Sequence, residues 1–237
     1  MSIIEFEKEL LSSHVDLGNY TEAAPLKSSE DIRAEWLLQR RGKFTASAFS
    51  RLTAYPGKNE LSEGAKTYAI EKAVELITVM DDTERYVSAA MQWGIDNELK
   101  AVEAFTRQTG LPVSFTGDNQ KLLTLGGDIG GTPDGLIDND SGVEIKCPIS
   151  TTHFKYLGIK NNADLKKESP AYYWQIMGLM MLSGSENWHF VSYNPLYINP
   201  VHQLHIVLIE RDEADISLLQ IRLSMAIAYR NYLLSKI

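Results

Sequence analysis

Gly131-Thr132-Pro133-Asp134-Gly135-Leu136, followed after a short gap by Gly142-Val143-Glu144-Ile145-Lys146-Cys147-Pro148, is the stretch on which the fold turns. Both pieces are Gly-rich and β-branched, and Asp138-Asn139-Asp140-Ser141-Gly142 between them is turn chemistry. Residues 130–137 and 143–147 are therefore expected to pair as a hairpin. Pro148 stops the second strand. Side chains alternate along a strand, so Glu144 and Lys146 project from one face and Ile145 from the other. Asp134, at the mouth of the first strand, can approach that same face, which sets two carboxylates beside one ammonium group.

Upstream of the hairpin the pattern is helical. A first helix is expected over 29–41, with Ser28 and Asp31 in capping-box spacing and Gly42 to end it. A short helix opens on a hydroxyl cap within 45–52, and the breakers of 55–59 make a loop. Longer helices are expected over 62–80 and 89–108, the second halted by Gly110 and Pro112. A strand over 122–125 leads into the hairpin. Downstream, a helix starts at Pro170 and runs to Ser183 before Gly184. Strands over 188–193 and 203–210 follow, and Asp212 caps a final helix over 213–234 with Ile216, Leu219 and Leu223 on its apolar stripe. This order predicts one α/β domain over 1–237: a central mixed β-sheet flanked by helices, an N-terminal helical layer, and residues 1–26 as an extension.

The chain has 237 residues, 44% of them hydrophobic, with 23 Lys plus Arg against 31 Asp plus Glu. Such usage excludes collagen-like, low-complexity and largely disordered classes. A single cysteine, Cys147, excludes an internal disulfide, an all-cysteine zinc site and an iron–sulfur cluster on four thiolates, and a reducing cytoplasm is the expected setting. The N-terminus lacks an apolar h-region and no apolar run approaches the roughly 18 residues of a membrane span, so neither export nor a membrane segment is expected. The formal charge of −8 argues at first sight against a nucleic-acid partner.

The trio Asp134, Glu144 and Lys146 nevertheless suits Mg²⁺, a hard cation that takes oxygen ligands and keeps several waters. The lysine can position or deprotonate a water for attack on a phosphodiester. Arg40 at the end of one helix and Ser47 in the first turn of the next can meet at a helix N-terminus, where backbone N–H groups favour a phosphate. Glu98 is a candidate further metal or water ligand, and Gln175 a candidate for hydrogen bonding a phosphate or the attacking water. Taken singly, each has a plainer explanation: a solvated helix end, an exposed helical Glu, a Gln satisfied by backbone. His202 and His205, three apart on an expected strand, point to opposite faces and do not make a zinc site.

Together these pieces resemble the bacteriophage lambda exonuclease family, the YqaJ-type viral recombinases, within the restriction-endonuclease-like nucleases. The resemblance runs from about Glu35 to Asp212. It rests on Trp36, Arg40 and Gly42 with Thr45-Ala46-Ser47, on Trp93-Gly94 with Glu98, and on Thr132-Pro133-Asp134-Gly135-Leu136 with Glu144-Ile145-Lys146-Cys147-Pro148. Ala171-Tyr172 with Gln175, Tyr193-Asn194-Pro195 and Ile209-Glu210-Arg211-Asp212 complete it.

The resemblance implies a restriction-endonuclease-like core and a Mg²⁺-dependent exonuclease that degrades the 5′ strand of linear duplex DNA. Mononucleotides are released, and a 3′ single-stranded tail is left for a phage annealing protein. Asp134 and Glu144, with the Ile145 carbonyl, would hold two Mg²⁺ ions, Mn²⁺ being an acceptable substitute. Glu98 would assist, directly or through water, and Lys146 would activate the nucleophilic water. Arg40, Ser47, Thr132 and Gln175 fall where the family holds the terminal 5′-phosphate; Thr132 stands in place of a serine and keeps the hydroxyl. A homotrimeric ring acting in a bacterial cytoplasm is implied as well. The alternatives are another nuclease of the superfamily, or a DNA-end-binding accessory protein of the same fold that has lost hydrolysis, against which the retained Asp134, Glu144 and Lys146 argue.

The charge is also unevenly spread. Residues 27–58 hold seven Lys or Arg against three acids, and 146–167 hold five against one, so both are net +4. These basic segments flank the expected phosphate pocket and the catalytic lysine, while 59–145 carry −10.

Overall fold

The computed structural model describes residues 29–55, 57–79, 88–137 and 141–237. The expected extension over 1–26, the Ser28 cap and the centre of the hairpin turn lie outside the described residues. The chain begins with α1 (Ser29–Arg40), β1 (Phe44–Thr45) and a 3₁₀ turn over Ala46–Arg51. Then come α2 (Glu63–Ile77) and α3 (Ala89–Thr109), opened by the hydroxyls of Ser62 and Ser88, which accept from the amides three residues on. The strands β2 (Leu123–Leu125), β3 (Ile129–Gly131), β4 (Gly135–Ile137) and β5 (Ser141–Lys146) follow. After them run α4 (Ser150–Tyr156), α5 (Asn162–Glu168) and α6 (Pro170–Ser183). The last elements are β6 (Asn187–Tyr193), β7 (Leu204–Glu210) and α7 (Glu213–Leu234), capped by Asp212 as expected.

The strand expected over 130–137 is in fact two. β3 belongs to a three-stranded sheet of order β1-β3-β2, and β4 to a four-stranded sheet of order β4-β5-β6-β7. Pro133 has no N–H for a ladder, so the chain leaves one sheet at Gly131 and enters the other at Gly135. The hairpin itself forms, with Gly135 opposite Val143 and Ile137 opposite Ser141. The larger sheet is mixed, β5 running antiparallel to β4 and parallel to β6. The return from β5 to β6 contains the seven-residue helices α4 and α5, each too short to show an apolar period in the sequence.

Each face of the larger sheet is covered. Val143, Ile145 and Val191 pack on Ala101, Ala104 and Phe105 of α3. The opposite face sets Trp188, Phe190, Val207 and Ile209 against α6 and against Ile216, Leu219 and Leu223 of α7. Tyr173 to Met181 of α6 are buried without a break, as befits a helix enclosed on every side. Gly178 makes that enclosure possible: a Cβ there would stand 2.3 Å from the Phe49 ring. α6 therefore lies directly on the 3₁₀ turn that carries Ser47, and Glu144 and Lys146 point toward the same helix.

Candidate active site

The alternation of β5 puts Glu144 and Lys146 on the α6 side while Ile145 fills the α3 side, as the sequence predicts. Asp134, held in the Thr132-Pro133-Asp134 crossing between sheets, accepts the Ile145 amide on Oδ2 at 2.7 Å. Lys146 Nζ stands 2.5 Å from Glu144 Oε1 and 3.5 Å from Asp134 Oδ2. Its ammonium also faces the Tyr172 ring at 5.0 Å, a cation–π contact that places the N-terminal turn of α6 over the site.

Glu144 is wholly buried, and among the described residues neither of its oxygens accepts a hydrogen bond of normal geometry. Burial first, and then the charge of Asp134, drive its carboxyl pKa upward against the pull of Lys146. Burial lowers the lysine, yet Asp134 and Glu144 outweigh that and hold it above its ordinary range. Glu98 is raised to about 7 by burial and then by Asp134, with Lys146 opposing, so it shares the field of the same groups. Its carboxylate accepts from Gln120 Nε2 at 3.1 Å, a partner that nothing in the sequence pattern announces. Cys147, next along the strand, has its thiol pushed up to about 12 by burial and by Glu98, which leaves it a poor nucleophile.

The donor set fits a hard cation. It offers Glu144, whose buried oxygens meet only the Lys146 ion pair, beside Asp134, and carboxylate oxygen is what Mg²⁺ takes. Among the described residues no three His, Cys, Asp or Glu side chains converge as a ready-made cluster. Lys146 lies between the two acids as their countercharge.

A second cluster adjoins the first. Arg40 Nη1 donates to Thr132 Oγ1 at 2.8 Å and Nη2 reaches Ser47 Oγ at 3.5 Å. The guanidinium lies 4.2 Å from the Trp36 ring centroid, one turn back on α1. Burial lowers the pKa of Arg40, which remains a cation at any working pH. Residues from two separate motifs thus converge, Arg40 and Ser47 from one and Thr132 from the other, and Thr132 sits two positions before Asp134. Gln175 is buried and lies one helical turn beyond Tyr172, hence on the same face of α6. The same helix touches Lys146 at Tyr172 and the 3₁₀ turn at Gly178.

A mixed sheet whose hairpin offers Asp134 and the Glu144-Ile145-Lys146 strand, with helices on both faces, is the core of the restriction-endonuclease-like nucleases. Within that class the chain belongs to the YqaJ-like viral recombinase domain family, whose profile matches residues 35–186. Among solved structures it is similar to an alkaline exonuclease from Laribacter hongkongensis, at 27% identity and a TM-score of 0.69, covering 86% of this chain and 95% of that one. The same exonuclease in complex with dAMP matches at 28% identity over the same shares, with a TM-score of 0.69. A phage-related exonuclease from Haemophilus somnus 129PT shares the fold, at 18% identity, a TM-score of 0.65, and coverage of 82% and 96% of the two chains. No match was found among curated proteins. No helix among the described residues is long and apolar enough to cross a membrane.

Proposed function

We propose that this DNA exonuclease of the YqaJ-like family is Mg²⁺-dependent and removes nucleotides from the 5′ strand of linear duplex ends. One observation carries the reading: Thr132, which receives Arg40, is two residues from Asp134, which is fastened to the strand of Glu144. A terminal phosphate bound by Arg40, Ser47, Thr132 and Gln175 would lie one short step from the acids. Cleavage would then be measured from the end of the strand, one nucleotide at a time. The dAMP bound to the Laribacter exonuclease fits release of mononucleotides.

Asp134 and Glu144, with the Ile145 carbonyl and with Glu98 assisting, would hold two Mg²⁺, for which Mn²⁺ could stand in. When bound, the metal supplies Lewis-acid stabilisation of the charge that develops on the phosphoryl oxygens. Lys146, released from its role as countercharge, would orient the attacking water through its ammonium hydrogen bonds. Gln175 steadies that water or the adjoining phosphate oxygen, and Arg40 neutralises the terminal phosphate. Membership of a viral recombinase family supports a further role: leaving 3′ tails for a phage annealing protein, as a homotrimer, in the cytoplasm of a bacterial host.

The test is digestion of linear duplex carrying a 5′-phosphate or a 5′-hydroxyl, beside closed circles, with Mg²⁺, Mn²⁺, Ca²⁺ or chelator. Digestion of linear DNA in Mg²⁺ or Mn²⁺, faster from the phosphorylated end and sparing circles, is expected. Cutting of circles would make it an endonuclease, and end binding with no hydrolysis under any metal would make it an accessory protein.

A further inference from the structure

Two segments meet where Arg40 donates to Thr132: the turn that follows α1, and the strand β3 that leads into Thr132. One side chain of the last helix holds both. Arg230 on α7 is 4% exposed and donates Nη1 to the Gly42 carbonyl at 2.8 Å and Nη2 to Asp128 Oδ1 at 2.6 Å. Its Nε and Nη2 also reach Asn231 Oδ1, at 3.1 and 2.8 Å, and its guanidinium carbon lies 5.6 Å from the Phe44 ring centroid. Gly42 is two residues past Arg40, and the Lys43 amide returns to the Arg40 carbonyl at 3.1 Å. Asp128 immediately precedes β3, and its own carbonyl takes the Phe44 amide at 2.8 Å. On the far side, Glu75 Oε2 accepts the Gly42 amide at 2.8 Å, so the turn is fastened at both its N–H and its C=O.

A buried cation is costly to keep, and an apolar side chain would fill the same space more cheaply. The donors of Arg230 go instead to the two segments that present Arg40 and Thr132.

We propose that Arg230 is a positioning residue for recognition of the terminal 5′-phosphate. It sets the relation between Arg40 and Thr132 through Gly42 and Asp128, without itself meeting DNA. The proposal rests on the reading of Arg40 and Thr132 as phosphate ligands.

The experiment compares wild type, Arg230→Lys and Asp128→Ala, each checked by thermal melting, on linear duplexes ending in 5′-phosphate or 5′-hydroxyl. The readout is the ratio of the two initial rates with Mg²⁺. Wild type prefers the phosphate, and each variant loses about tenfold of that preference while the rate on hydroxyl ends stays within about twofold. In an Arg40→Ala background neither substitution changes the ratio further, because the effect passes through Arg40. A fall in both rates together, with the ratio kept, would make the role merely structural and overturn the proposal. A wild type without preference would overturn the phosphate reading and this proposal with it, whereas a selective wild type beside equally selective variants overturns this proposal alone. If Arg230→Lys does not fold, Asp128→Ala decides by the same ratio, since it removes one arm of the clasp at a side chain that is 43% exposed.

Discussion

The Ile145 amide donates to Asp134 Oδ2 at 2.7 Å, so one acid of the site is fastened to the backbone of the strand that carries the other. An asparagine at 134 keeps an acceptor for that amide and removes one of two neighbouring carboxylate charges. Asp134→Asn is therefore expected to melt no lower than wild type in metal-free buffer and to lose DNA digestion by about a hundredfold or more. Melting curves and an exonuclease assay check it, and a variant that is active, or inactive only because it is unfolded, would count against the role given to Asp134.

Lys146 is the countercharge of two carboxylates. Lys146→Met removes that countercharge, so without metal Glu144 holds its proton more tightly and the variant loses stability as the pH rises. Added Mg²⁺ replaces the lost charge, so the melting temperature of this variant should rise with Mg²⁺ by more than that of wild type. Equal responses would show that the cation does not bind between these acids.

His153 supplies a pH signature away from the acids. Its ring is fully buried between Ser192 Oγ, 2.7 Å from Nδ1, and the His202 carbonyl, 2.8 Å from Nε2. Burial first, and the neighbouring His205, lower its pKa from 6.5, with the carbonyl opposing. The folded state thus binds this proton less readily than the unfolded chain. Stability from His153 is fully present above about pH 6.5 and is lost as the pH falls from there toward the depressed folded value. Melting from pH 8 to 5 should show the decline, and His153→Gln should melt lower at pH 8 but decline less. Parallel curves would place the sensitivity elsewhere.

Arg222 fastens the loop after the Ser47 turn. Buried in α7, it donates to the carbonyls of Tyr55, Lys58 and Glu60 at 2.8, 2.5 and 2.6 Å. Arg222→Met strands those carbonyls, at a cost of about 2–3 kcal/mol. Limited trypsin digestion should then cut at Lys58 faster than in wild type, and an unchanged rate of cutting there would refute the clasp.

Much of the site was legible because its signals are local. The alternation of Glu144, Ile145 and Lys146, the stop at Pro148, the cap at Asp212 and the Pro170 helix start each follow from residues a few positions apart, and the structure places them as read. The break at Thr132-Pro133-Asp134 was present in the sequence as a proline without a ladder donor, but the β-branched and glycine texture around it reads as one strand. Gln120, Arg222, Arg230 and His153 were not legible at all. Each is a polar residue whose partner lies far along the chain, and an Arg on a helix looks the same in sequence whether it meets water or a buried carbonyl.

The contacts that make the site also differ widely in the length of chain they close. The Asp134–Ile145 bond spans 11 residues, the Arg40–Thr132 bond 92, and the Arg230–Gly42 bond 188. Short loops close first, and a chain emerging from the ribosome folds from its beginning. The acid-bearing hairpin can thus form while most of α7 is still to be made, whereas the fastening of the Arg40 turn waits for residue 230. Because α7 also covers one face of the sheet that carries Glu144 and Lys146, the clasp on the Arg40 turn and the closing of that core fall together at the end of synthesis.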